Sequence, residues 1–261
     1  MALAVAALAG TAGAQGAKPL KKCAPDAVIA GTVCMDTYEA SVWRVPNATT
    51  TNAGLVKKLQ QGKATAALLA AGGATQLGIG SDDYAPCADN GQNCADDIYA
   101  ASLPGVLPSA HVTWFQAQAA CENARKRLPS SAEWQAAVIG TPDPGPDNGT
   151  TDCNTSSVFT AVNTGSRSSC KSARGAFDMV GNVYEWVADW VPRSTACGTW
   201  SAGVSPTGDS QCLAGAATTG EPGAALRGGN FFNGTFAGPL NVNGRFEPSI
   251  ADGRIGFRCA R

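Results

Sequence analysis

Gly181-Asn182-Val183-Tyr184-Glu185-Trp186-Val187-Ala188-Asp189-Trp190 is the stretch on which the reading of this chain turns. It opens on a tight Gly-Asn turn, sets one carboxylate between apolar side chains, and ends on a second tryptophan. Other segments stand around it in order. His111-Val112-Thr113-Trp114 and Arg127-Leu128-Pro129-Ser130-Ser131-Ala132-Glu133-Trp134 precede it. Leu226-Arg227-Gly228-Gly229 and the closing Ile255-Gly256-Phe257-Arg258-Cys259-Ala260-Arg261 follow it.

The bulk composition sets limits on what these segments can build. With 261 residues, 44% of them hydrophobic, the chain is large enough for one domain with a substantial core. A net charge of −1 gives no electrostatic case for nucleic acid or an anionic membrane surface. Thirty-one glycines point to a loop-rich chain rather than a helical one. Residues 2–9 form an apolar run too short to span a bilayer, and Ala12-Gly13-Ala14 reads as a small-residue cleavage site. Residues 1–22 are therefore expected to be a signal-peptide remnant or a flexible segment, and 23–261 a single domain. An even count of ten cysteines beside such a start implies disulfides and export to the periplasm, the cell surface or the medium. The chain has no Cys-x-x-Cys pair, which argues against a zinc ribbon.

The pattern along the chain predicts an α+β domain. Residues 32–43 alternate as a first strand, and 54–71 read as one amphipathic helix ended by Gly72-Gly73. Thr113 is placed to cap a helix over Trp114–Lys126, and Ser130 or Ser131 a second one with Glu133 in its first turn. Residues 80–110, 140–174 and 192–224 read as long loops holding cysteine pairs. Pairs close in sequence across these loops are Cys23/Cys34, Cys87/Cys94, Cys153/Cys170 and Cys197/Cys212.

Taken together and in this order, the motifs resemble the formylglycine-generating enzyme (sulfatase-modifying factor) family. That resemblance implies its variant of the C-type lectin fold, with two helices, short strands and long disulfide-stapled loops. It also implies a pairing of the two remaining cysteines, Cys121 and Cys259. Asp178, Gly181, Val183 and Glu185 correspond to the family's calcium ligands. The chemistry suits the ion, which takes carboxylate and carbonyl oxygens. A second family calcium site would fall near Asn154. Trp114, Trp134, Trp186 and Trp190 are expected in the core rather than on a sugar-stacking platform. The single histidine, His111, is expected to have a structural hydrogen-bonding role.

The resemblance breaks at the catalytic positions. Family enzymes carry two copper-binding cysteines shortly after the Arg-Gly-Gly motif, and here those positions fall on Asn233 and Gly238. Neither residue is a soft ligand for copper(I), so no copper is expected and the chain is read as non-catalytic. Residues 230–254 instead resemble the variable region of diversity-generating retroelement target proteins. In those systems adenine randomisation cannot produce Lys, Glu, Gln, Met or Trp, and Glu247 alone departs from that rule across the segment. Phe232, Phe236, Leu240, Asn241, Asn243, Arg245, Phe246, Ile250, Asp252, Gly253 and Arg254 are expected to form one exposed face, whereas Phe231 belongs to the core. Aromatic and Arg side chains in such a patch suit a binding surface for a protein or carbohydrate ligand. The alternatives are an enzyme or enzyme-associated domain with a different chemistry, and an envelope module with no evolved pocket.

Overall fold

A computed structural model describes Leu20, residues 22–143 and residues 145–261. The rest of the expected signal segment lies outside the described residues. The chain opens with a hairpin of β1 (Ala27–Ala30) and β2 (Val33–Asp36). β3 (Ala40–Arg44) then forms the centre of a three-stranded sheet, flanked by β4 (Thr75–Leu77) and β5 (Ile98–Ser102). The single strand expected over 32–43 is thus two strands, interrupted at Thr37–Glu39.

Between β3 and β4 stand α1 (Ala53–Gln60) and α2 (Ala66–Ala71), in place of one helix. The break has a steric cause. Gly62 has φ +67°, and a side chain there would run into the carboxylate of Asp26. That carboxylate is itself held by Lys126 at 2.7 Å and Arg261 at 2.9 Å. Thr65 then caps α2 by accepting from the Leu68 amide.

α3 (Trp114–Asn123) and α4 (Ser131–Val138) both start in capping boxes, Thr113 with Gln116 and Ser130 with Glu133. α3 ends earlier than the sequence suggests because the chain turns left-handed at Arg125, φ 56°. Its buried face is made of Gln116, Ala117, Ala120 and Cys121. Side chains this small let the helix lie close to β5, with which it shares the core. The fold has four α-helices among the described residues rather than two.

The largest sheet has six strands in the order β11-β6-β9-β10-β8-β7. These are β6 (Tyr184–Val191), β7 (Ala196–Thr199), β8 (Ser210–Ala214), β9 (Gly223–Arg227), β10 (Val242–Asn243) and β11 (Ile255–Phe257). The expected loop over 192–224 is therefore largely a β7–β8 hairpin, stapled by Cys197–Cys212. The opening motif and the closing motif lie side by side. β11 runs parallel to β6, with Ile255 opposite Tyr184 and Phe257 opposite Trp186. The last residues continue between β2 and the α3–α4 link, where Cys34 and Arg261 exchange backbone hydrogen bonds, as do Arg127 and Ala260.

All ten cysteines are bridged: Cys23–Cys34, Cys87–Cys94, Cys121–Cys259, Cys153–Cys170 and Cys197–Cys212. Trp134 and Trp186 are fully buried, as expected. Trp190 departs from the expectation. It is 48% exposed and meets Trp114 and Phe115 edge-on at 5.2 and 5.8 Å.

A charge network lies where the resemblance places calcium. Arg258 donates to both oxygens of Glu185, at 2.6 and 2.7 Å, and Trp134 Nε1 donates to the same carboxylate at 2.7 Å. All three side chains are buried. A guanidinium already neutralises Glu185, and a divalent ion beside it would face an adjacent cation. Asp178 accepts from the Gly165 amide at 2.6 Å. No group of three or more His, Cys, Asp or Glu capable of holding a metal occurs among the described residues. Asp178 and Glu185, two of the expected calcium ligands, thus already have partners in the protein, the Gly165 amide for the first and Arg258 with Trp134 for the second. Asn154, near which a second site was expected, is buried and donates to Thr160 O and Asn182 Oδ1, while its own Oδ1 has no protein partner.

The network carries more negative than positive charge. Burial pushes the Asp178 carboxyl up to about 7, with the charge of Glu185 adding to the rise and the Gly165 amide and Arg258 opposing it. Glu39, also buried, is raised well above the usual range, by burial first and then by the charges of Asp178 and Glu185. Its carboxylate accepts from Asn182 Nδ2 at 2.6 Å and the Val183 amide at 3.1 Å. Both shifts favour the protonated form in the native state more than in the unfolded chain.

Two outcomes are expected. Closing a loop of 138 residues restricts the unfolded chain more than closing one of 7. Replacing Cys121 and Cys259 together by Ala should therefore cost about 5 kcal/mol in denaturant unfolding, against roughly 2 kcal/mol for Cys87 with Cys94. Secondly, raised carboxyl pKa values favour the native state below the unfolded value near 4, and the advantage is lost as pH rises through about 7. Stability should fall between pH 5 and pH 8, by up to about 1.4 kcal/mol per unit for one group. Asp178→Asn should flatten that slope in melts across this range.

Candidate functional site

The face expected to bind begins where β9 ends. Gly228 and Gly229 both have positive φ, +84° and +86°, and turn the chain sharply. A side chain at Gly228 would sit 2.7 Å from the Met179 carbonyl, so this turn admits nothing larger. The next residues are locked by their own amides. Asn233 Oδ1 accepts from the Asn230 amide and Asn230 Oδ1 from the Phe232 amide, both at 2.8 Å. A 3-10 turn over Gly234–Phe236 follows.

This rigid loop aims two rings outward. Phe232 is 54% exposed and Phe236 51%, whereas Phe231 is buried as expected. Phe159, from the long loop stapled by Cys153–Cys170, stacks on Phe232 with ring centroids 5.3 Å apart and is itself largely exposed. Sequence reasoning missed Phe159. The available signal was a lone aromatic in a stretch of Ser, Thr, Asn and Gly.

The remaining expected residues divide. Arg245 and Arg254 are exposed, and Leu240 and Asp252 are half-buried. Asp252 holds Arg254 by two contacts, at 2.6 and 2.8 Å. Four residues correct the expectation by facing inward. Asn241 is fully buried and donates to Ser210 Oγ at 2.8 Å and the Phe236 carbonyl at 2.7 Å. Asn243 is buried in β10. Phe246 and Ile250 are half-buried against the core cluster that contains Trp186 and Phe257. Gly253 is also constrained, since a side chain there would come within 2.9 Å of the His111 ring. The His111 backbone amide donates to the Asp252 carbonyl at 3.0 Å.

Two neighbouring hollows lie on this face. One, of about 490 Å³, is lined by Tyr184, Thr199, Ser210, Asn233, Phe236 and Arg245, among others. The other, of about 170 Å³, is lined by Phe232, Phe246 and Arg254, and shares Tyr184, Asn233 and Asn243 with the first. The hairpin residues Thr199 and Ser210 were not anticipated, because 192–224 reads as loop in the sequence.

The positions expected for catalytic thiols have other uses. The Asn233 side chain holds the loop as described. Gly238 is buried against the carboxylate of Asp209, which accepts from Ser205 Oγ and from the Leu240 amide, both at 2.7 Å. All ten cysteines are taken up in disulfides.

Comparison with known proteins agrees with the motifs. Residues 90–261 match the family profile described as the sulfatase-modifying factor enzyme 1-like domain. The formylglycine-generating enzyme of Streptomyces coelicolor is 33% identical over 174 residues, covering 59% of this chain and 52% of that protein. Serine/threonine-protein kinase pkn1 of Chlamydia pneumoniae is 30% identical over 160 residues, covering 59% of this chain and 24% of the kinase. The chain thus spans about half or less of these relatives. Among solved structures, the Major Tropism Determinant M1 variant is 18% identical with a TM-score of 0.48, covering 90% of this chain and 52% of that one. The fold is the formylglycine-generating-enzyme-like variant of the C-type lectin fold, and the chain belongs to the sulfatase-modifying factor enzyme 1-like domain family.

Proposed function

We propose that this protein is a non-catalytic, ligand-binding member of its family, whose binding face is built from the segment after Arg227-Gly228-Gly229. The observation that carries the reading is the exchange at the family's catalytic positions. Asn233 and Gly238 stand there, and they serve a loop that presents Phe232 and Phe236 to solvent. A cluster of exposed rings on a locally immobilised backbone suits recognition, because little ordering cost remains to be met on binding. Five disulfides fit an oxidising, exported setting. No helix among the described residues is long and apolar enough to cross a membrane.

The pattern of exposure supports a diversified surface of a restricted kind. Phe232, Phe236, Leu240, Arg245, Asp252 and Arg254 can change without entering the core. Asn241, Asn243, Phe246, Ile250 and Gly253 cannot. A retroelement-type origin requires a reverse transcriptase gene and a near-copy template beside the coding sequence. Sequencing that locus in sibling isolates should show changes concentrated in the first set of codons. Identical segments in every isolate, with no template repeat, would remove the diversification reading.

Two measurements test the protein itself. Phe232→Ser and Phe236→Ser should each cost within about 0.5 kcal/mol, as surface changes do, while Phe246→Ser should cost roughly 1–3 kcal/mol in denaturant unfolding. Equal large losses at all three would place the rings in the core. No formylglycine should form on a Cys-containing sulfatase-type peptide incubated with the protein, copper and oxygen; its detection by mass spectrometry would show an enzyme.

A further inference from the structure

The charges around the binding face narrow what it can hold. Three arginines stand at or beside it. Arg193 pairs with Glu247, and Arg254 with Asp252. Arg245 is exposed and forms no salt bridge among the described residues. The hydrogen-bond partner of its guanidinium there is Cys197 Sγ, at 3.6 Å. The 490 Å³ hollow that Arg245 lines includes no Asp or Glu. A guanidinium in a concave site without a counter-charge attracts an anion, and its planar fork matches a carboxylate.

Beside that charge aromatic rings stand among polar side chains. Phe236 lines the same hollow. The second hollow, which Phe232, Phe246 and Ile255 help to line, shares Tyr184, Asn233 and Asn243 with it. Its own charges, Asp252 and Arg254, already neutralise each other. The free positive charge thus shares a hollow with Phe236, and Phe232 and Phe246 line the neighbouring one. A neutral sugar would leave Arg245 without its counter-charge.

We infer that this face takes an acidic segment of a partner protein, with an Asp or Glu side chain on Arg245 and a neighbouring apolar side chain against Phe232 and Phe246. The inference rests on the binding-face reading above and names the chemistry of its ligand.

The test uses three small probes titrated into the full chain labelled with nitrogen-15: acetyl-Gly-Glu-Leu-Gly amide, its Gln counterpart, and N-acetyl-leucine. Amide shifts of Gly198, Thr199 and Asn233 report on the hollows. The Glu peptide should bind at least about tenfold more tightly than the Gln peptide, a difference of about 1.4 kcal/mol. Arg245→Gln should abolish the preference, and Arg193→Gln should leave it intact. Equal affinity for the Glu and Gln peptides, with shifts at these amides, would overturn the acidic-segment inference and leave the binding face standing. N-acetyl-leucine binding more tightly than the Glu peptide would overturn it in favour of a terminal carboxylate. Silence of all three probes would also overturn it, and the face would then stand or fall on the Phe232 and Phe236 substitutions.

Discussion

The ion pair between Glu185 and Arg258 holds the structure in register. It joins β6 to the segment that follows β11, and Trp134 on α4 donates to the same carboxylate. Arg258 also donates to the carbonyls of Asp36 and Phe177, so the ion pair and its partners tie together five stretches of chain. The side chains of Glu185, Trp134 and Arg258 are buried. Removing one partner from such a pair leaves an uncompensated buried charge, typically at a cost of about 3–5 kcal/mol. The motif residues Glu185, Trp134 and Arg258 therefore have a structural explanation that does not depend on a bound ion.

The C-terminus is anchored a second way. Cys259 joins α3 through Cys121, and Ala260 and Arg261 hydrogen-bond to Arg127 and Cys34. Between this anchor and the Gly228-Gly229 turn, residues 230–254 leave the core and return to it twice. Asn241, Asn243, Phe246 and Ile250 point in, and Phe232, Phe236, Arg245 and Arg254 point out. An exposed set on a frame pinned at both ends can vary at little cost to stability, which is what a binding surface on this fold requires.

The long loops serve that surface as well. The Cys153–Cys170 loop delivers Phe159 to stack on Phe232, and the β7–β8 hairpin, stapled by Cys197–Cys212, walls the larger hollow. In sequence both stretches look like spacers rich in Gly, Ser and Thr. In three dimensions they are the other half of the site.

The sequence by itself determined the family, the helix caps at Thr113 and at Ser130 or Ser131, and the disulfides between cysteines close in sequence, with Cys121–Cys259 following from the family resemblance. Each depends on local residue identity or on a motif that keeps its order in any member of the fold. It did not separate the outward from the inward residues of 230–254 and put Asn241, Asn243, Phe246 and Ile250 on the exposed face, since Asn and Phe suit a loop surface and a buried turn equally well by composition. Asn241 and Phe246 were decided by what lies across from them: Ser210 and the Phe236 carbonyl for the first, the core cluster around Trp186 for the second. The surroundings of Glu185, an expected calcium ligand, were decided in the same way. The motif carries Glu185 but cannot show that Arg258, 73 residues away, lies against it. Only the tertiary structure brings that charge in, because a buried carboxylate takes whichever cation the fold places within reach.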